Sequence, residues 1–338
     1  MRFLSLLLLL SLCFSCSEPS EPAQRAFYYW RSRLHWQAED TRYFAAEKIP
    51  RLYVRFFDVG WQQTEAMPIA PVEWSDSLPN NLDVVPVVFI TNETMTRLKD
   101  SLVNDLGQKI ATKIKNMAAR NGLDSLREVQ IDCDWNGSTK DKYFNLLKKI
   151  KAEIPAVQLS ATIRLHQVKF FKKTGIPPVD KGLLMCYNMG TPKKFETTNS
   201  VLDLDIVKSY TKSLENYPLK LDVALPLFSW GVVFRNKKFV VLLNNLRHKD
   251  MAGNEGIQHM ATNYYTITEE MQLMGTELYP GDVVRVEEVS PELCRETAEQ
   301  IKKNLKQNAG YISLFHYDPK VTENYAKEDI QSIYRIFE

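Results

Sequence analysis

From about residue 26 onward, short apolar runs alternate with stretches in which apolar residues recur every three or four positions. The runs are LYVRFFD at Leu52–Asp58, DVVPVVFIT at Asp83–Thr91, Glu128–Asp134, VQLSATIRL at Val157–Leu165, Gly182–Tyr187, LKLDVALPL at Leu219–Leu227 and Tyr311–His316. Between them the spacing predicts helices over Gln108–Arg120, ending at Asn121-Gly122, over Thr139–Glu153 and Ile206–Leu214, and over Pro291–Leu305 behind a Ser290 cap, with a terminal helix closing the chain. Strands that alternate with helices form parallel βα units with right-handed crossovers. About eight units in some three hundred residues predict an α/β fold, a (β/α)8 TIM-like barrel. The competing fold, a doubly wound open sheet, usually carries a glycine-rich phosphate turn, and none is present. Phe234–Leu243 (FRNKKFVVLL) and Val283–Val289 break the alternation and predict a small β insertion between strands seven and eight.

The first residues follow a different pattern. Arg2 precedes a nearly pure leucine run, Leu4–Leu12, with small residues only at its end, the layout of a secretory signal over residues 1–15. About ten apolar residues are too few to span a bilayer as a helix, which needs roughly twenty. Leu12-Cys13-Phe14-Ser15-Cys16 resembles the lipobox of bacterial lipoproteins, which implies that Cys16 is lipidated and becomes the new N-terminus. Residues 16–25 then read as a polar, proline-bearing tether, and residues 26–338 as one barrel domain. Ser17 gives no inner-membrane retention signal, and the acidic residues near the lipid resemble the surface-export signal of Bacteroidota lipoproteins. The expectation is an exported protein on the outer membrane, with its side open.

Composition narrows the classes. With 43 Lys and Arg against 41 Asp and Glu, interspersed, there is no basic stripe for nucleic acid. Apart from the signal-peptide Cys13 and the lipidated Cys16, the cysteines are Cys133, Cys186 and Cys294, an odd number that makes no complete disulfide framework. Cys133 and Cys186 fall on outward positions of strands four and six. Two strand spacings place them nearly 10 Å apart, so both are expected as buried free thiols. Five scattered histidines without His-x-x-His or Cys-x-x-Cys spacing predict no metal, no cofactor is implied, and a monomer is expected.

The chemistry gathers at Val129-Gln130-Ile131-Asp132-Cys133-Asp134-Trp135-Asn136. Alternation puts Asp132, Asp134 and Asn136 on one face, with the aspartates roughly 6.6 Å apart along the strand. In a barrel mouth they would share a site and push their pKa values apart. The plainer alternative has one aspartate capping the next helix and the other in water.

Ile131–Asn136 resembles the fourth-strand signature of family 18 glycoside hydrolases, the chitinase-like group. Leu184–Asn188 is similar to that family's sixth-strand Met-x-Tyr-Asp pattern, Ala224–Trp230 to its seventh strand, and Gly310–Asp318 (GYISLFHYD) to its eighth. The chain also resembles an uncharacterised family of exported bacterial lipoproteins sharing these strand-end motifs and lacking the general-acid glutamate. Asn136 stands where the general acid would be, and an amide cannot donate a proton to a leaving oxygen. Val129, Asn188 and Phe315 also depart from the pattern. The resemblance therefore implies a sugar groove with Asp134 as an orienting group, Tyr187 as a hydroxyl donor and Asp132 beside them.

Further mouth residues come from the strand ends: Asp58, Arg164 and His166, Trp230, His316 and Asp318. Arginine, histidine, carboxylates and an aromatic platform suit a polyhydroxylated ring. Arg164 equally suits an ion pair with Asp132 or Asp134, Asp58 a turn or cap, and Trp230 the core. Three functions compete: a lipid-anchored carbohydrate binder that has lost the acid, a glycoside hydrolase using relocated carboxylates, and a structural or assembly lipoprotein.

Overall fold

The computed structural model describes residues 21–123 and 125–338. Eight strands close into a barrel: β1 Gln24–Tyr29, β2 Arg51–Gln62, β3 Asp83–Ile90, β4 Glu128–Cys133, β5 Gln158–Arg164, β6 Lys181–Met185, β7 Leu221–Pro226 and β8 Tyr311–Phe315. Neighbouring barrel strands all pair in parallel, and β1 bonds to both β8 (Ala26 opposite Ser313) and β2 (Phe27 opposite Leu52), which closes the sheet. Strands covered on both faces need not alternate apolar with polar, hence the near-continuous apolar runs of β2 and β3.

Seven strands fall where the apolar runs predict them; β1 does not. Gln24 and Arg25, expected at the end of the tether, are its first two residues, and Ala38–Ala46 is the helix that follows. Residues 16–20 of that tether, and the signal segment with Cys16, lie outside the described residues. Helix Val103–Arg120 buries Ile110, Ala111, Ile114 and Ala118 and stops where Gly122 takes φ +69°. Helix Lys140–Glu153 buries Tyr143, Leu146, Leu147 and Ile150, and helix Pro291–Asn304 starts where Ser290 accepts from the Leu293 N–H (3.2 Å).

The insertion between β7 and β8 is a five-stranded antiparallel sheet that includes Trp230–Arg235, Lys238–Asn244 and Val283–Glu287. It has a small core of its own, with Val233, Leu243, Leu246, Val284 and Val286. Cys133, Cys186 and Cys294 are free and buried, and burial pushes the Cys294 thiol up to about 12. Among the described residues no helix is long and apolar enough to cross a membrane.

At the strands' N-terminal ends the barrel floor is ionic. The buried carboxylate of Glu128 accepts from Arg51 (2.6 Å) and lies 2.8 Å from the Lys181 ammonium; Lys181 reaches Asp222 (2.6 Å) and Arg51 reaches Asp83 (2.6 Å). The Arg51 guanidinium also lies 3.7 Å over the Tyr311 ring. Five strands are thereby fixed in height relative to one another. Glu128→Gln leaves two buried cations without their shared charge and should lower unfolding free energy by about 3–5 kcal/mol in urea titrations; a loss below about 1 kcal/mol would make the floor incidental.

Candidate functional site

Inside the barrel, β4 alternates as its sequence predicts. Ile131, Cys133 and Trp135 face the helices, Trp135 stacking on Tyr143 (centroids 5.2 Å apart) and donating its indole N–H to the Thr174 carbonyl (3.0 Å). Glu128, Gln130 and Asp132 face inward in ascending layers. Tyr28 donates across the barrel to Gln130, whose amide donates to Ser160 (3.3 Å). One layer higher, Thr162 donates to Asp132 (2.6 Å).

Asp132 is 5% exposed. Burial raises its pKa, against the pull of Arg164, and Asp134 adds to the rise, bringing it up to about 6. Asp134, just beyond the strand, is half-buried and takes both carboxylate bonds from Arg164, at 2.6 and 3.0 Å. The arginine thus makes the ion pair the sequence left open, and it does so in the mouth. Tyr187 is buried, and its hydroxyl has no hydrogen-bond partner among the described residues. Burial first, then the Asp132 charge, holds that phenol far above its usual pKa. Its ring lies 4.8 Å from Phe315 and 6.1 Å from Phe228.

The remaining predicted residues divide. Asp58 lies within β2 rather than at its end, because the strand runs on to Gln62. A bulge between Arg55 and Phe57 brings residues three apart to the same side, so Arg55 clasps Asp58 through two bonds, one of 2.7 Å. Asp318 caps the short helix Pro319–Thr322, accepting from the Lys320 N–H (3.0 Å), and sits 3.5 Å from Arg31. Trp230, half-buried, opens the insertion and packs 5.2 Å from Phe228. His316 is partly buried, with Nδ1 unpartnered among the described residues, and burial lowers its pKa.

Two expectations of shared strand faces are corrected. Asn136 does not join the aspartates: the strand ends at Cys133, and the exposed Asn136 turns its side-chain oxygen onto Ser138, accepting from its N–H (2.9 Å) and hydroxyl (2.6 Å). His166 does not alternate with Arg164, because β5 stops at Arg164 and His166 lies exposed on helix Leu165–Lys169; burial and then Arg164 lower its pKa. Asn188 is exposed in a left-handed turn, φ +53°, just past β6. At Asn136 and His166 the chain has left the strand, so period-two extrapolation fails there.

Residues not anticipated complete the mouth. Trp30, two beyond Tyr28 on β1, lies 5.7 Å from Phe315 and 6.5 Å from Phe89. Going back two positions from Arg164 along the strand the sequence predicts would have found Thr162, whereas Trp30 follows β1, a strand the sequence pattern did not reveal. The arginines at 31 and 55 had no such signal. Five clefts of about 460–530 Å³ open elsewhere, at the strands' N-terminal end beside Trp36 and Phe44, between outer helices and beside Arg247; none is lined by Asp132, Asp134, Tyr187 or Trp230. Among the described residues no group of three or more His, Cys, Asp or Glu side chains is arranged to hold a metal ion.

The chain matches no protein-family model and no curated protein sequence. Solved structures do resemble it. A chitinase from Chromobacterium violaceum superposes with TM-score 0.53 at 11% identity, covering 93% of this chain and 98% of that one. A chitinase-like agglutinin from Robinia pseudoacacia gives 0.53 at 12%, over 93% and 99%. A class V chitinase variant from Nicotiana tobaccum in complex with NAG4 gives 0.50 at 12%, over 94% and 99%. The protein therefore has the chitinase-type (β/α)8 barrel, the fold that the strand-end motifs imply.

Asp132 supplies a stability test with a definite sign. The folded chain holds its proton more tightly than the unfolded chain. That contribution is full below about pH 4, the ordinary aspartate value, and is lost as the pH rises through about 6. Asp132→Asn keeps an acceptor for Thr162 and cannot ionise. It should match the parent below about pH 4 and exceed it by roughly 2–3 kcal/mol above about pH 7 in denaturant unfolding across pH. A gap independent of pH would mean that Asp132 ionises in the folded state without cost.

Proposed function

We propose that this is an exported bacterial lipoprotein, anchored through Cys16 to the outer membrane, that binds a glycan in the barrel mouth without cleaving it. The carrying observation is the state of the mouth's carboxylates. Asp58, Asp134 and Asp318 each face an arginine, Arg55, Arg164 and Arg31 respectively. A carboxylate whose oxygens are engaged by a guanidinium is not presented to a leaving-group oxygen. Asn136, at the general-acid position of the resemblance, is an amide spent on its own turn. The aromatic rings of Trp30, Phe89, Phe228, Trp230 and Phe315 remain, with the Tyr187 hydroxyl among them, which suits holding a sugar ring. That one structural neighbour is named an agglutinin fits a chitinase-type barrel used for binding.

The hydrolase reading keeps one supporting observation, the proton that buried Asp132 holds up to about pH 6. A glycan array with the mature protein, run beside assays for released reducing ends on the bound glycans, separates the two. We expect specific binding, no released ends, and a loss of about tenfold or more on Asp134→Ala, which frees Arg164 from its charge-assisted pair. Released reducing ends would restore the hydrolase; binding untouched by Asp134→Ala would remove the mouth as the site.

The anchor is tested separately. Labelled palmitate should enter the parent and not Cys16→Ser, which should leave the membrane fraction. Label retained in the variant would place the lipid elsewhere.

A further inference from the structure

The insertion's last strand, Val283–Glu287, sends Val284 and Val286 into the insertion's own core and presents Arg285 and Glu287 on the other face. Both charged side chains are fully buried. Arg285 donates to three backbone carbonyls of the segment after β6, Pro192 (2.8 Å), Lys194 (2.8 Å) and Phe195 (3.0 Å), and to Glu287 (2.6 Å). Its guanidinium lies 5.0 Å over the Phe234 ring. The other Glu287 oxygen accepts from the Ser200 N–H (2.7 Å), the Ser200 hydroxyl and the Trp230 indole N–H (2.8 Å).

One buried ion pair thus ties together the 190–200 segment, the insertion and the mouth tryptophan. Apolar residues of similar volume usually hold two elements together as well as a buried ion pair does, or better. What they cannot supply is an acceptor fixed in direction for an indole N–H. With that N–H occupied, Trp230 has no donor left for a ligand and offers only its ring, half-buried beside Phe228. A ring held this way selects a pyranose by its flat C–H face rather than by its hydroxyls.

We propose that Glu287 is a positioning residue for glycan binding. It locks Trp230 as a preset stacking platform and makes the insertion and the 190–200 segment one rigid side of the groove. The sugar part of this inference rests on the glycan-binding reading above; the locking of Trp230 does not.

The test uses the mature protein labelled with 15N at tryptophan. The Trp230 indole resonance, assigned by its loss in Trp230→Phe, should be single, sharp and slow to exchange with solvent. Two variants withdraw the acceptor while keeping the fold. Glu287→Asp leaves a charge for Arg285 but falls about one methylene short of Trp230. Arg285→Met with Glu287→Leu removes the acceptor altogether; because it also strands the carbonyls at 192, 194 and 195 and the Ser200 N–H, it should unfold at a lower temperature than the parent, and its indole spectrum is read below that temperature, where circular dichroism shows it folded. In both, the Trp230 indole should broaden or split and exchange faster, the other indoles staying in place, and affinity for NAG4 should fall about tenfold or more. An unshifted, still protected Trp230 resonance in either folded variant overturns the proposal. Should the parent itself not bind NAG4 or any arrayed glycan, the glycan reading fails, and the indole signal alone decides whether Glu287 locks the ring.

Discussion

Closure of the parallel sheet by β1, bonded to β8 on one side and β2 on the other, is the constraint from which the rest of the structure follows. In an open sheet the inward positions of eight strands would form a plane. In a closed one they converge on an axis, and each period-two position becomes a layer. The lowest layer is ionic, with Glu128 shared by Arg51 and Lys181; the next is hydrogen-bonded, with Tyr28, Gln130 and Ser160; the upper ones hold Asp132, Thr162, Tyr187 and Phe315. Strand height set at the floor therefore determines which side chains share the mouth.

The mouth is electrostatically settled rather than poised. Asp58, Asp134 and Asp318 at its rim each have an arginine, and the three guanidinium groups come from three different parts of the chain, Arg31 after β1, Arg55 on β2 and Arg164 ending β5. Asp132 sits below them, where burial outweighs the pull of Arg164 and keeps its proton to about pH 6. Among the described residues, the Tyr187 hydroxyl is one of the buried polar groups left without a hydrogen-bond partner, and it lies among aromatic rings.

The insertion has its own small core yet is joined to the barrel by charge, through Arg285 and Glu287, as well as by the chain. Its position at the strand C-terminal end lets it contribute Trp230 to the mouth.

The amino-acid sequence by itself determined seven of the strands, the principal helices with their caps, the insertion and the inward set Asp132, Asp134 and Arg164, because these depend on periodicity and on capping chemistry that act over a few residues; Tyr187 came from the resemblance of Leu184–Asn188 to a sixth-strand motif. β1 was not legible, since QRAFYY directly follows polar, proline-bearing residues and only pairing with β8 and β2 makes it a barrel strand. Tertiary structure alone decided where alternation stops, and so removed Asn136 and His166 from the aspartates' company. It also decided which arginine meets which carboxylate and which aspartate keeps its proton. Those outcomes follow from distances between strands far apart in the chain, and from burial, neither of which a local pattern encodes.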